Sequence, residues 1–257
     1  MQIQSTQNSV HSSETAVAIA ITDLCFSYPD NPNVLNQINL TVHRGERLGI
    51  IGYNGCGKTT LFLSICGVLA PNSGEIYLLD QPVQPGMFHP NIGLVFQNPD
   101  DQLFSASVWD DVAFAPQNMG LPPTEVEQRV VDALAITGMQ ELAMRPPHHL
   151  SGGQKRMVAI AGVLAMRPQV IIYDEPTANL DLRSRRRLIQ FLQQSSQTLL
   201  ISSHDLEFVL EVCDRVVLMN EGQIIADGDP RQVMSNAELM ERYGLEKPHS
   251  LIPHTHP

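Results

Sequence analysis

The sequence predicts an α/β fold built on a mostly parallel sheet, and three observations carry that expectation. A glycine-rich turn, Gly52 to Thr60 (GYNGCGKTT), joins the apolar run 48–51 to a helix-like run at 60–65. Two further short apolar runs, Val170 to Tyr173 and Thr198 to Ser202, lack the alternation of a half-exposed strand and read as central strands buried on both faces. Upstream, Leu24, Phe26, Tyr28 and then Ile38, Leu40, Val42 alternate around Pro29-Asp30-Asn31-Pro32, the pattern of antiparallel strands about a turn. Sheets of the parallel kind bind ligands at the carboxyl ends of their strands.

Composition bounds the function. The chain has 257 residues, 43% of them hydrophobic, and no apolar run approaches the roughly 18 to 20 residues of a membrane helix, so no bilayer-spanning segment is expected. Sixteen basic against 27 acidic residues give a net charge of -11, which argues against a nucleic-acid partner or a broad attraction to anionic lipid. Cys25, Cys56, Cys66 and Cys213 show no C-x-x-C spacing and read as reduced thiols of a cytosolic protein.

Residues 1–16, polar and without a charged n-region before an apolar run, are expected to be a disordered tail and not a signal peptide. A strand at Arg47 to Ile51 delivers the glycine-rich turn, the next helix ends before Pro71-Asn72-Ser73-Gly74, and 75–79 and 92–96 read as strands, the latter closing at Gln97. The middle of the chain, about 98–165, is helical. Phe104, Val108 and Val112 fall at i, i+4, i+8, which predicts one apolar helix face and a surface groove for a partner's helix, against the plainer reading that the face packs inward. Thr124-Glu125-Val126-Glu127 reads as a capping box for a helix lined by Val126, Val130 and Leu134 and stopped by Gly138. LSGGQ (150–154) opens another helix, 183–194 is a basic exposed one, and 216–219 with 223–226 form a hairpin about Asn220-Glu221-Gly222. Residues 248–257 are expected to be a polar tail, and its His249, His254 and His256 read as ordinary tail residues and not as a metal site.

The chemistry centres on Gly52 to Thr60, which fits G-x-x-x-x-G-K-[ST] with Gly52, Gly57, Lys58 and Thr59 in the fixed places. Gly55 and Gly57 let successive amides, including those of Tyr53, Asn54, Cys56 and Thr60, turn toward an anion at a helix N-terminus, and Lys58 adds a point charge for β- and γ-phosphates. The Thr59 hydroxyl suits the shell of a nucleotide-bound Mg²⁺. Cys56, between two glycines and near Lys58, is expected to have a lowered thiol pKa.

Taken in order, GYNGCGKTT, Gln97, LSGGQ, VIIYDEP, Asn179-Leu180-Asp181 and His204 resemble the ATP-binding cassette (ABC) ATPases over about residues 17–247, with a helical subdomain at about 98–165. NPDDQLF (98–104) and LSGGQKRMVAIAGVLAMRP resemble, more narrowly, the ATPases of energy-coupling-factor (ECF) importers, particularly the cobalt/nickel group. The resemblance implies a RecA-like P-loop NTPase core, ATP and Mg²⁺ as ligands, Asp174 and Gln97 beside the metal with Thr59, Glu175 as general base and His204 at the γ-phosphate. Tyr28 would stack on adenine, against the plainer reading of an ordinary strand aromatic. Ser151, Gly152, Gly153 and Gln154 would form a second anion site that serves a partner's nucleotide, with Asp181 at the interface of a head-to-tail dimer of identical or paralogous chains. Separate membrane subunits would bind the cargo and couple to this chain at the cytoplasmic face. Vitamin import and a non-transport ABC role are the alternatives. Tyr53, Cys56 and Met157 depart from the usual residues at their places, Met157 where a basic residue is frequent.

Overall fold

A computed structural model describes residues 16–252. Strands β1 (Val17–Tyr28) and β2 (Asn31–His43) form a hairpin and, with β4 (Ser73–Leu78) and β5 (Gln81–Pro82), a four-stranded antiparallel sheet in the order β2-β1-β4-β5. Between them run β3 (Arg47–Ile51) and α1 (Lys58–Ile65). Then come β6 (Ile92–Val95), α2 (Val108–Asn118), α3 (Pro123–Thr137), α4 (Gly152–Leu164), β7 (Val170–Tyr173), α5 (Leu182–Gln193), β8 (Thr198–Ser202) and α6 (Leu206–Val212). The chain closes with β9 (Arg215–Asn220), β10 (Gln223–Gly228), α7 (Pro230–Ser235) and α8 (Ala237–Arg242). The second sheet runs β10-β9-β3-β8-β7-β6, parallel except where β10 pairs antiparallel with β9.

The parallel strands of this second sheet are buried on both faces, and the period of two sorts their residues between two cores. Ile171, Tyr173, Leu199, Ile201, Val216 and Leu218 pack toward α2, α3, α4 and α5. Their neighbours Val170, Ile172, Leu200, Val217 and Met219 pack toward α1 and the antiparallel sheet. Every residue of β7 and β8 is buried, as their unbroken apolar runs predict. The helical segment forms its own layer: α2, α3 and α4 pack on one another, with Val126, Val130 and Leu134 inward and Gly138, at φ 71, ending α3.

Several local expectations are corrected. The turn between β1 and β2 needs only Pro29 and Asp30, because β2 already begins at Asn31. Thr124 is not an N-cap; α3 starts at Pro123 behind Pro122, with no side-chain cap because Pro122 carries no acceptor, while proline at the first helical position is already set for the helix. Phe104 stands outside α2, which begins at Val108 with Ser107 as its cap. Val108 and Val112 are fully buried in the core and Phe104 is 67% exposed, so the supposed stripe is split between interior and surface. Strand 92–96 ends one residue early, at Val95. The helices α6, α7 and α8, of seven, six and six residues, carry too few turns for a periodicity to show in the sequence. At the C-terminus, Ser250 docks on Glu207 (N–H to Oε1 2.9 Å, Oγ to Oε2 2.7 Å), so the segment expected to be tail is packed as far as Leu251. The expected N-terminal tail, apart from Ala16, and His254 and His256 lie outside the described residues.

Candidate active site

Strand β3 runs into the phosphate loop between its parallel neighbours β8 and β9. Gly57 sits at the head of α1 with φ 109, and a Cβ there would press on the Val34 carbonyl, so only glycine fits. No side chain caps α1, and no acidic residue stands in its first turn. The Lys58 amide faces the Cys56 sulfur, and the amides that follow it are left without a side-chain cap, the arrangement an anion completes. The buried Lys58 Nζ lies folded back on the loop, donating to the carbonyls of Gly52 (2.8 Å) and Tyr53 (3.2 Å).

The carboxylates come from the end of β7. Asp174 accepts from two hydroxyls, Thr59 Oγ1 to Oδ2 at 2.7 Å and Ser202 Oγ to Oδ1 at 2.6 Å. Next to it, Glu175 is 7% exposed and holds φ 47, a left-handed backbone that an ordinary residue keeps only when its surroundings impose it. Its amide donates to Ser202 Oγ (2.9 Å) and its Oε2 accepts from the His204 amide (3.0 Å). Glu175 Oε1 makes no hydrogen bond, although His204 Nε2 stands 3.2 Å away. That ring nitrogen lies 2.7 Å from Asn54 Oδ1, to which it donates in the tautomer protonated at Nε2. Burial pushes the Glu175 carboxyl above the usual range, against the opposing pull of His204 and Lys58. A buried carboxylate with one free oxygen and a raised proton affinity suits a base that takes a proton from water.

The signature segment is organised differently. Ser151 caps α4: its Oγ accepts from the Gln154 amide, and the Gln154 side chain accepts from the Ser151 amide. A Cβ on Gly153 would run into Ser184 Oγ, while one on Gly152 would meet open space. Ser184 Oγ in turn donates to Asp181 (2.9 Å), which caps α5 by accepting from the amides of Arg183 and Ser184. These bonds hold the Asp181 carboxyl below its ordinary pKa. A cavity of about 260 Å³ beside Ser151 and Gly153 is lined by α4 and α5 and by no residue of the phosphate loop. The structure thus gathers Thr59, Lys58, Asp174, Glu175, His204 and Asn54 into one cluster, and Ser151 to Gln154 with Asp181 into another.

Gln97 belongs fully to neither. Its side chain is exposed, and among the described residues no hydrogen bond joins it to Thr59, Asp174 or Glu175. Its carbonyl accepts from Arg156 of α4, whose guanidinium is buried and also reaches the Phe96 carbonyl. Lys155 pairs with Asp100 at 2.6 Å and Gln102 donates to the Ala159 carbonyl, so three side chains tie the segment after β6 to the signature helix. Sequence reasoning missed Arg156, a buried arginine beside Met157, which is simply buried core. It also missed Ser202; a hydroxyl ending a wholly buried strand was the available signal, since such a group must find partners. Cys56 is a correction: it is 1% exposed, and burial raises its thiol pKa where the nearby Lys58 was expected to lower it. Tyr28, half exposed at the end of β1, packs edge-on against Phe26 and lies 3.4 Å from Thr60 Oγ1.

A phosphate loop whose hydroxyl meets a carboxylate at the end of another strand of the same parallel sheet defines a nucleoside-triphosphatase. The ABC transporter family model matches residues 35–178. The chain is 58% identical over 91% of its length, and 82% of the relative's, to a putative ABC transporter ATP-binding protein of Synechocystis. It is 46% identical over 90% of its length, and 76% of the relative's, to the energy-coupling factor transporter ATP-binding protein EcfA of Methanothermobacter thermautotrophicus. Among solved structures it is similar to CbiO1 of Clostridium perfringens, described as part of the ABC transporter complex CbiONQ, with a TM-score of 0.79, 41% identity, and coverage of 88% of this chain and 94% of that one. The chain belongs to the ABC transporter ATPase family, as an ATP-binding subunit of the energy-coupling-factor type.

Proposed function

We propose that this chain hydrolyses ATP as one half of a head-to-tail dimer and couples the reaction to uptake of Co²⁺ or Ni²⁺ through separate membrane subunits. The observation that carries the importer reading is its 41% identity to CbiO1 across most of both chains. The choice of metal over vitamin rests on NPDDQLF and LSGGQKRMVAIAGVLAMRP, which resemble the cobalt/nickel group.

The hydrolytic site is read as follows. Phosphates are held by the loop amides and the uncapped start of α1, with Lys58 released from the Gly52 and Tyr53 carbonyls to face them. Thr59 and Asp174, two oxygen donors already 2.7 Å apart, suit a hard cation, and Gln97 would join them when the segment after β6 moves inward. Mg²⁺ bound there supplies charge neutralisation on the phosphate oxygens. Glu175 Oε1 takes the proton of the attacking water, and His204, its Nε2 proton turned from Asn54, donates to the γ-phosphate. Tyr28 offers a ring face to adenine. The loop of Ser151 to Gln154, self-capped and apart from the phosphate loop, serves the partner's nucleotide, and Asp181 lies at the interface of the two chains.

Membrane subunits are expected at a groove of about 510 Å³ lined by Met87, Phe88, Phe96, Phe104 and Phe114. Phe104 and Phe114 meet edge to face at 4.9 Å yet are 67% and 48% exposed, an apolar surface left for a partner. No helix among the described residues is long and apolar enough to cross a membrane. The membrane subunits would hold the chain peripherally, at the cytoplasmic face. The test is co-purification from detergent-solubilised membranes followed by ATP-dependent uptake of Co²⁺, Ni²⁺ and vitamins in vesicles. Uptake of either metal that survives removal of residues 248–257 supports the reading, and vitamin uptake alone refutes the cargo assignment.

A further inference from the structure

We propose that Ser202 is a positioning residue that sets the geometry of Asp174 and Glu175 together, and so the affinity of the site for its divalent cation. Strand β8 lies between β3, which delivers the phosphate loop, and β7, which delivers the carboxylates. The register pairs Ile50 with Ser202 on one side and Tyr173 with Ile201 on the other, which brings the Ser202 side chain level with Asp174. Ser202 has no exposed surface, so its hydroxyl must be satisfied within the protein.

Its two hydrogen bonds have a forced direction. The Glu175 amide can only donate, at 2.9 Å, so the serine oxygen accepts there and its single proton is left for Asp174 Oδ1, at 2.6 Å. Asp174 is thus held at both oxygens, Oδ1 by Ser202 and Oδ2 by Thr59, and its carboxylate cannot rotate without breaking one bond. The same hydroxyl anchors the amide of Glu175, whose backbone is left-handed at φ 47 and whose Oε1 makes no hydrogen bond. Removing it would leave a buried N–H without a partner beside a strained residue, and free Asp174 to turn. Groups of this kind behind a metal-associated carboxylate commonly alter metal affinity by about 10- to 100-fold.

The proposal rests on the reading of Asp174 as metal-associated and Glu175 as the base. Ser202→Ala is compared with wild type and with Ser203→Ala, which removes the neighbouring hydroxyl but no bond to Asp174 or Glu175. Three quantities are measured on the full chain: the Mg²⁺ concentration for half-maximal ATPase, ATP affinity in EDTA, and hydrogen exchange at the Glu175 amide. Ser202→Ala is expected to raise Mg²⁺ half-saturation about tenfold or more and speed exchange at Glu175, with metal-free ATP affinity within about twofold of wild type and Ser203→Ala unchanged in half-saturation. Unchanged half-saturation, unchanged exchange, a parallel fall in metal-free affinity, or an equal effect of Ser203→Ala overturns it. Should wild type show no Mg²⁺-dependent hydrolysis, the reading of the site fails, while the exchange measurement still reports on the Ser202 contact.

Discussion

The phosphate-loop site and the signature segment are both glycine-rich openings to a helix, yet they are finished in opposite ways. At the first, the head of α1 has no side-chain cap, and the polar groups around it come from three strand ends of one sheet. At the second, Ser151 and Gln154 cap α4 reciprocally, and Gly153 is pressed against Ser184 within the same chain. One end waits for an anion; the other is stable without one. A pre-satisfied helix start that still exposes its amides suits a site engaged only part of the time, as when two chains close on shared nucleotides and then separate.

The largest effect that sharpens this contrast is chemical. Glu175→Gln keeps the shape and the acceptor for the His204 amide but loses the base, so turnover should fall by about 10²- to 10⁴-fold with ATP affinity retained. A loss of only a few-fold in a phosphate-release assay would remove Glu175 from that role. The next effect is on stability. Val108→Asp puts a charge into the core beneath the signature layer and should destabilise by about 3 to 5 kcal/mol, whereas Phe104→Asp should leave the melting temperature unchanged and abolish binding of the membrane partner. Equal melting behaviour of the two variants would contradict the split of that segment between core and surface.

A smaller effect has a definite pH dependence. The folded pKa of Glu175 is raised by burial above its unfolded value, so protonation favours the folded state. Below the unfolded value the residue is neutral in both states; as pH rises through the folded value, the native protein must carry a buried charge and loses stability. Glu175→Gln, always neutral, should therefore melt about 1 to 3 °C higher than wild type near pH 7.5, with the difference vanishing toward pH 4. The smallest effect concerns Cys56, which should react with a thiol reagent more slowly than an ordinary exposed thiol and faster after mild denaturation. Rapid labelling of the native chain would mean the loop is open where the structure has it closed.

Much of this was legible in the sequence because it rests on short-range rules. The apolar runs of β7 and β8 announce burial on both faces, and the fixed spacing from Gly52 to Thr59 announces a strand, a phosphate loop and a helix. What stayed hidden depends on contacts between distant segments. Phe104 and Val108 share a helical spacing, but Ser107 caps α2 between them and sends them to different environments. Cys56 looked activated by its neighbours along the chain, while the burial that decides its pKa comes from tertiary packing. Ser202 and Arg156 hold Asp174, Glu175 and Gln97 across 27 to 59 positions, a reach no local pattern encodes.

Gly152 offers the most direct test that the signature loop completes another chain's site. A side chain there meets nothing in its own chain, so Gly152→Asp should fold and bind ATP at its own phosphate loop as before. In light scattering with ATP and Mg²⁺, the Glu175→Gln chain should double its apparent mass, and the chain carrying both substitutions should remain at the single mass. Doubling that persists with Asp at position 152, or a Glu175→Gln chain that never doubles, would contradict the account.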